Sequence, residues 1–183
     1  YPPRDLLMER DFVERSMDVA LNIPTDLPVL VGTPIPAEDD RTLPTNGVVR
    51  AGPQVATITG DEHSRIVAEK QLLPTYDVFD EARYFAAKNR SGLARSIGGL
   101  TLGVTVCEDA WQSSGMTPSS YAQDPIEHIA GWCRQGVEIN ATVNLSASPF
   151  HTDKFTTRLE VARHAASAVS YTHLRAHETS QHR

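Results

Sequence analysis

A buried strand that ends at a cysteine constrains the fold of this chain most strongly. Residues 100–106 are largely apolar and β-branched, as in strands buried in a sheet, and Cys107, Glu108 and Asp109 follow directly. A thiol at the end of such a strand lies at the rim of the sheet, where α/β enzymes place nucleophiles. An isolated cysteine is more often a buried structural residue, so this segment alone leaves both roles open.

The rest of the chain alternates between strand and helix patterns, which is typical of an α/β fold. We predict helices over 11–21, with Asp11 as its cap, over 125–135 and over 153–169. The apolar side of the last helix is predicted to contain Phe155, Leu159, Ala162, Ala166 and Val169. The predicted strands cover 27–32, 48–49, 55–59, 66–69, 100–106 and 137–145, with loops over 34–44 and 75–90 and a turn over 60–62.

Three motifs in a fixed order favour a catalytic role for the cysteine. They are Lys-x-x-Leu-Pro-x-Tyr at 70–76, Cys-Glu-Asp at 107–109 and Asn-Leu-Ser-Ala-Ser-Pro at 144–149, after an opening Tyr-Pro-Pro-Arg-Asp-Leu-Leu at 1–7. Together they resemble the nitrilase-like glutaminase domain of the glutamine-dependent NAD⁺ synthetase family. The resemblance implies a carbon–nitrogen hydrolase domain over 1–169, folded as a four-layer α-β-β-α sandwich that is incomplete at both ends.

The resemblance also implies roles for individual residues. Cys107 matches the family nucleophile, and Lys70 matches the catalytic lysine that stabilises the developing oxyanion. Tyr76, Ser148 and Lys154 match positions that hold the glutamine substrate. The residues themselves fit these roles, since a lysine at a strand end can donate to an oxyanion and a second lysine can pair with a carboxylate.

The two acids after the nucleophile cannot both point at its thiol. For Glu108 and Asp109 we expect structural hydrogen bonds, with solvated acids as the alternative, and a backbone N–H near residue 108 as an oxyanion donor. We also count Glu108 among the substrate-binding residues. Glu81 is expected either to support Lys70 or the general base, or to pair with Arg83 on the surface.

The resemblance implies a glutamate as the general base, a few residues before the Tyr1-Pro2 turn, and we expect the chain to be truncated before it. A papain-like pairing of cysteine with histidine is a weaker alternative, because no local signature accompanies any histidine. The histidines considered for that role are His63, His128, His151 and His164.

Bulk properties exclude several classes of protein. The net charge of −6 argues against a nucleic-acid partner, and no apolar run approaches the ~20 residues of a membrane span. Two cysteines in 183 residues do not make a disulfide framework, which favours the cytoplasm. Residues 170–183 resemble a translated adaptor, so we expect a non-native read-through tail and treat His173, His177 and His182 as part of it rather than as a metal tract.

The leading hypothesis is therefore the glutaminase half of an NAD⁺ synthetase. Its partners would be glutamine, a synthetase domain of the same chain outside this sequence, and further copies in a homo-oligomer. No cofactor is expected in this domain, whereas the synthetase domain would use ATP and Mg²⁺. The alternatives are a stand-alone amidohydrolase of the nitrilase superfamily, and an inactive piece that lacks the general base and only binds or assembles.

Overall fold

The structure is a computed structural model that describes residues 3–39, 41–53, 65–95, 100–148, 152, 154–169 and 172–177. Its helices are α1 (Arg10–Leu21), α2 (Pro125–Arg134) and α3 (Lys154–Val169). Its strands are β1 (Val29–Ile35), β2 (Thr45–Ala51), β3 (Ile66–Glu69), β4 (Gly92–Arg95), β5 (Thr101–Val106), β6 (Ala141–Ser146) and β7 (Thr172–His177).

Two sheets are stacked between helices. The first sheet has the order β1-β2-β3 and is antiparallel throughout. The second has the order β4-β5-β6-β7, in which β4 runs antiparallel to β5 while β5, β6 and β7 are parallel. Parallel neighbours need a crossover, and α2 provides it between β5 and β6.

Three apolar layers hold this stack together. Ala20 of α1 packs on Ile35 and Val49 of the first sheet. The facing sides of the two sheets share one cluster, and the outer side of the second sheet packs against α2 and α3. The predicted four-layer α-β-β-α sandwich is therefore confirmed. The cluster between the sheets contains Val48, Val67, Ala68, Ala94, Val104 and Val106.

Helix ends follow local chemistry more closely than the sequence analysis predicted. Asp124 caps α2, since its carboxylate accepts hydrogen bonds from the backbone N–H groups of Ile126 (3.0 Å) and Glu127 (3.2 Å). The prediction of Asp11 as the cap of α1 is wrong, because the helix begins at Arg10 and Asp11 lies in its first turn. An acid there still interacts favourably with the helix dipole.

Several predicted strand boundaries need correction. Strand β1 continues to Ile35, into the predicted loop 34–44, because its pairing with β2 extends to Ile35 opposite Thr45. Strand β4 was not predicted. Strand β6 starts at Ala141 rather than at 137. Just before β6, the Asn140 side-chain oxygen accepts a hydrogen bond from the Thr101 N–H (2.6 Å), and the Asn140 N–H donates to the Thr101 carbonyl (2.8 Å). The predicted strand 55–59 and turn 60–62 lie outside the described residues.

The buried side of α3 differs from the predicted one. Phe155 is 71% exposed and Leu159 is 38% exposed, although both were predicted to face the core. Val169 is buried as predicted, but the other buried positions are Arg158, Val161 and Ala165. A hydrophobic pattern assigns an arginine to the solvent side, so it could not find the register that buries Arg158.

Two further observations concern the whole of the described chain. None of its helices is long and apolar enough to cross a membrane. The backbone of β7 pairs in parallel with β6 from Ala141 opposite Thr172 to Ser146 opposite His177. The assignment of residues 170–183 to a non-native tail stays a prediction.

We predict that Gly92→Ala destabilises the chain where the two sheets meet. A Cβ at Gly92 would lie 2.2 Å from the Val67 carbonyl oxygen and 2.8 Å from the Ala68 Cβ, so backbone must move. The expected loss in free energy of unfolding is about 1–3 kcal/mol, measured by urea denaturation. Gly131→Ala in α2 is the matched control, since its nearest neighbour is Arg134 Nη2 at 3.7 Å. Equal stability of both variants would contradict the prediction.

Candidate active site

The nucleophile candidate lies on a sharp turn between β5 and a short 3₁₀ helix over Cys107–Ala110. Cys107 is half-buried and has a φ of +48°, in the left-handed region that costs a non-glycine residue roughly 1–2 kcal/mol. Asn144 of β6 supports the turn by donating from Nδ2 to the Cys107 carbonyl (3.2 Å). A strained residue at the end of a strand is also how the hydrolase nucleophile elbow presents its side chain.

A single buried carboxylate connects this turn to the segment after Lys70. Asp109 Oδ1 accepts hydrogen bonds from the backbone N–H groups of Gln71 (3.1 Å) and Leu72 (2.9 Å), and Oδ2 accepts from that of Val106 (3.2 Å). Burial raises the pKa of Asp109 to about 7, although the Lys70 charge and the three N–H donors lower it. The expected structural role of Asp109 is therefore seen.

Lys70 is completely buried and paired with an acid. Its Nζ donates to both carboxylate oxygens of Glu81, at 2.7 and 2.6 Å. Burial lowers the pKa of Lys70, but the neighbouring acidic groups, with Glu81 in direct contact, outweigh burial and raise it above its usual value. Two roles were left open for Glu81, and the structure shows its contact with Lys70. Arg83, the alternative partner, instead places its guanidinium 5.5 Å from the Tyr84 ring centroid.

Two phenols converge on the buried carboxylate of Glu108. Tyr76 donates from its hydroxyl to Glu108 Oε1 (2.6 Å), and Tyr121 reaches the same oxygen at 3.5 Å. Burial and Glu108 raise the pKa of Tyr121 to about 12, and they raise the pKa of Tyr76 further above its usual value. Both phenols therefore remain protonated donors near neutral pH. Sequence analysis missed Tyr121, because no motif marks a loop tyrosine that far from the cysteine.

The start of α3 brings two cations to the same region. Lys154 Nζ lies 4.9 Å from the Trp111 ring centroid, a cation–π contact, and Trp111 follows the nucleophile turn. Arg158 donates from Nη2 to the carbonyl of Ser148 (2.7 Å), two residues after the strand whose Asn144 supports the Cys107 turn. Sequence analysis also missed Arg158, since it resembles an ordinary surface arginine of a helix.

The six predicted site residues thus belong to one connected region. Asp109 joins the segment after Lys70 to the Cys107 turn, Tyr76 bonds to the neighbouring Glu108, and Ser148 and Lys154 contact Arg158 and Trp111.

The structure gives the papain-like alternative no support within the described residues. There, neither His128 nor His164 is hydrogen-bonded to Cys107, and both are exposed. His128 instead lines a separate groove of about 460 Å³ beside Arg90 and Trp132. His63 and His151 lie outside the described residues. Across the same part of the chain, no three His, Cys, Asp or Glu side chains form a group that could hold a metal ion.

Comparison with known proteins supports the fold and the family. No family model matches the chain. It is 33% identical over 172 residues to a glutamine-dependent NAD(+) synthetase from Synechocystis sp., covering 91% of this chain and 29% of the relative. It is 31% identical over 159 residues to the glutamine-dependent NAD(+) synthetase from Thermotoga maritima, covering 84% of this chain and 23% of that relative. The chain therefore spans about a quarter of the length of these curated relatives.

Solved structures agree on the fold. The glutamine-dependent NAD⁺ synthetase from Acinetobacter baumannii, solved with ADP, matches with a TM-score of 0.73 at 20% identity, over 97% of this chain and 29% of that one. The amidase from Nesterenkonia sp. AN1, whose active site contains a cysteine, matches with a TM-score of 0.59 at 16% identity, over 97% and 60%.

The fold defined by these neighbours is that of the nitrilase, or carbon–nitrogen hydrolase, superfamily. By its sequence, the chain belongs to the family of the glutamine-dependent NAD⁺ synthetases.

We predict that Asp109 makes the stability of this chain depend on pH. Its folded pKa of about 7 lies above the ordinary 3.8, so the folded chain keeps a proton that the unfolded chain releases. The free energy of unfolding should therefore fall as the pH rises from about 4 to about 7. Asp109→Asn cannot titrate and should flatten this fall, while losing about 1–3 kcal/mol overall because Val106 N–H loses its acceptor. Urea denaturation across this interval measures both effects, and parallel profiles would contradict the titration.

Proposed function

We propose that this chain hydrolyses the side-chain amide of glutamine, with Cys107 as the nucleophile. One observation carries the proposal: the strained turn that presents Cys107 is joined to the segment after the buried Lys70–Glu81 pair, because the Asp109 carboxylate accepts hydrogen bonds from the backbone N–H groups of Gln71 and Leu72. A thiolate needs a nearby cation and a fixed geometry to attack an amide carbonyl, and this arrangement offers both.

The reaction proceeds through a covalent intermediate. The sulfur of Cys107 bonds to the amide carbon, and the oxyanion that forms is stabilised by the Lys70 ammonium and by the backbone N–H of the turn near Glu108. The carbon–nitrogen bond then breaks, and the nitrogen leaves as ammonia after receiving a proton. Water cleaves the γ-glutamyl thioester and releases glutamate. The resemblance implies a glutamate for both proton transfers, and that role is assigned to none of the described residues.

The polar groups around the turn suit the other end of glutamine. An α-ammonium group fits the Ser148 carbonyl and the Glu108 carboxylate, both acceptors, while the α-carboxylate fits the Lys154 ammonium. The cation–π contact with Trp111 restricts where that ammonium can lie. Tyr76 supports this arrangement by holding Glu108 in place through its 2.6 Å hydrogen bond.

In the complete protein, the ammonia would serve a second active site. The relatives are named as glutamine-dependent NAD(+) synthetases, and each is about four times as long as the matched part. We infer that a synthetase domain outside this sequence uses the ammonia to amidate deamido-NAD⁺ with ATP and Mg²⁺. No cofactor is assigned to the glutaminase reaction itself, and a cytoplasmic homo-oligomer without nucleic-acid or membrane partners remains our prediction.

A stand-alone amidase is the second candidate. It is favoured by the likeness in fold to the Nesterenkonia amidase, of which this chain covers 60%. The two candidates differ in substrate, because an enzyme for simple amides has no use for acceptors and a cation placed around an amino-acid head group.

We predict that glutamine turnover depends on Cys107 and not on Cys133. Glutamate and ammonia release from glutamine should fall at least about 10³-fold in Cys107→Ala, because no other group in the site can form the thioester. Cys133→Ala is the matched control and should keep the parent rate. Faster turnover of simple aliphatic amides than of glutamine would favour the stand-alone amidase. A folded chain without turnover of either would favour a binding or assembly role.

A further inference from the structure

Arg158 is an arginine in an unexpected place. Its side chain is only 7% exposed, on the side of α3 that packs against the rest of the domain. Arginine is almost never buried to this extent unless it is paired, and burying its charge costs free energy that a partner must offset. Its Nη2 hydrogen bond to the Ser148 carbonyl, at 2.7 Å, accounts for one donor of the guanidinium.

The surroundings of Arg158 include the nucleophile. Ser148 follows β6 by two residues, and on β6 Leu145 packs beside Cys107 while Asn144 donates to the Cys107 carbonyl. The 2.7 Å hydrogen bond to the Ser148 carbonyl therefore holds the guanidinium at the end of the strand that supports the Cys107 turn, and burial lowers the pKa of Arg158. A guanidinium remains protonated at any physiological pH even so.

The charge count around Cys107 calls for such a cation. Lys70 is already matched by Glu81 through two short hydrogen bonds, so that pair as a whole is neutral. The buried Glu108 carboxylate adds further negative charge next to the cysteine. A further positive charge therefore stabilises a thiolate here, and of the two α3 cations Lys154 lies against the Trp111 ring whereas Arg158 is buried.

We propose that Arg158 is a positioning residue of the glutaminase site, which supplies the second positive charge beside the Cys107 thiolate while it holds the Ser148 carbonyl in place. This inference rests on the proposed function, because it assigns a further residue to the same site. A purely structural alternative exists, in which Arg158 only ties α3 to the end of β6 and its charge has no effect on Cys107.

The two roles are separated by the charge preference of an alkylating reagent. The Cys107 sulfur displaces iodide from iodoacetate, an anion, or from iodoacetamide, which is neutral, and forms a thioether with either. The ratio of the two second-order rate constants reports the electrostatic potential at the sulfur, while general effects on folding or access cancel. The full chain is used in a Cys133→Ser background, so that Cys107 is the one thiol that reacts.

Three variants of that background make the comparison. Arg158→Gln keeps an N–H donor for the Ser148 carbonyl but removes the charge, and the iodoacetate to iodoacetamide ratio should fall roughly fivefold. Arg158→Lys keeps the charge and should stay within about twofold of the parent. Arg163→Gln removes the same charge from an exposed position of α3 and should also stay within about twofold, because solvent screens it.

An unchanged ratio in folded Arg158→Gln, or an equal fall in Arg163→Gln, overturns the proposal. If circular dichroism shows that Arg158→Gln does not fold, the Arg158→Lys variant is the test. A fall of more than twofold in its iodoacetate to iodoacetamide ratio overturns the proposal. The ratio does not depend on turnover, so it can fail while glutamine is still hydrolysed. Conversely, it can hold in a chain that never hydrolyses glutamine, which would leave the charge assignment intact and remove the proposed function.

Discussion

The site depends on the three hydrogen bonds that the Asp109 carboxylate accepts. Two come from the N–H groups of Gln71 and Leu72, in the segment that follows β3 of the first sheet. The third comes from the N–H of Val106, at the end of β5 in the second sheet. One side chain therefore sets the distance between the lysine and the cysteine, which lie 37 positions apart in the sequence. Because the carboxylate is buried and both of its oxygens accept hydrogen bonds, it fixes the position of the Lys70 segment relative to the end of β5.

The region around the cysteine is an arrangement of buried charges in which each ion has a partner. Lys70 faces Glu81, Glu108 receives two phenolic hydroxyls, and Arg158 donates to the Ser148 carbonyl. Breaking such a pair is costly because it leaves a charge without compensation in a low-dielectric interior. This rigidity suits a reaction in which negative charge moves from sulfur to an oxyanion, because preorganised groups need not reorient as it moves.

Sequence reasoning could find the residues whose position follows from a motif at the end of a strand. Cys107 after β5 and Lys70 after β3 were predicted there, and the layered α/β fold followed from the resemblance. It could not find Arg158, because an arginine within a helix predicts an exposed position, and the predicted buried face of α3 is therefore wrong everywhere except at Val169. It missed β4 because Gly92–Arg95 is short and contains an arginine and a glycine, neither of which indicates a strand.

Long-range contacts set the remaining limit. The bond from Tyr121 to Glu108 and those from the Lys70 segment to Asp109 join residues that no local pattern connects. The glycine at 92 has its explanation only in the approach of β3, where the Val67 carbonyl leaves no room for a Cβ. The packing of the two sheets against each other fixes such positions. Alternation of apolar residues along a strand shows which face is buried, but not which residues of the other sheet lie against it.

The central claim is that Cys107 attacks the side-chain carbon of a bound glutamine, and affinity labelling tests it most directly. A chloroketone analogue of glutamine places an alkylating carbon where the amide would lie, and peptide mass spectrometry locates the thioether that forms when chloride leaves. The account predicts labelling of Cys107 alone. Excess glutamine should slow the labelling, whereas an excess of a simple aliphatic amide such as propionamide should not. Labelling of Cys133 to the same extent, or labelling of Cys107 that glutamine does not slow, would contradict it.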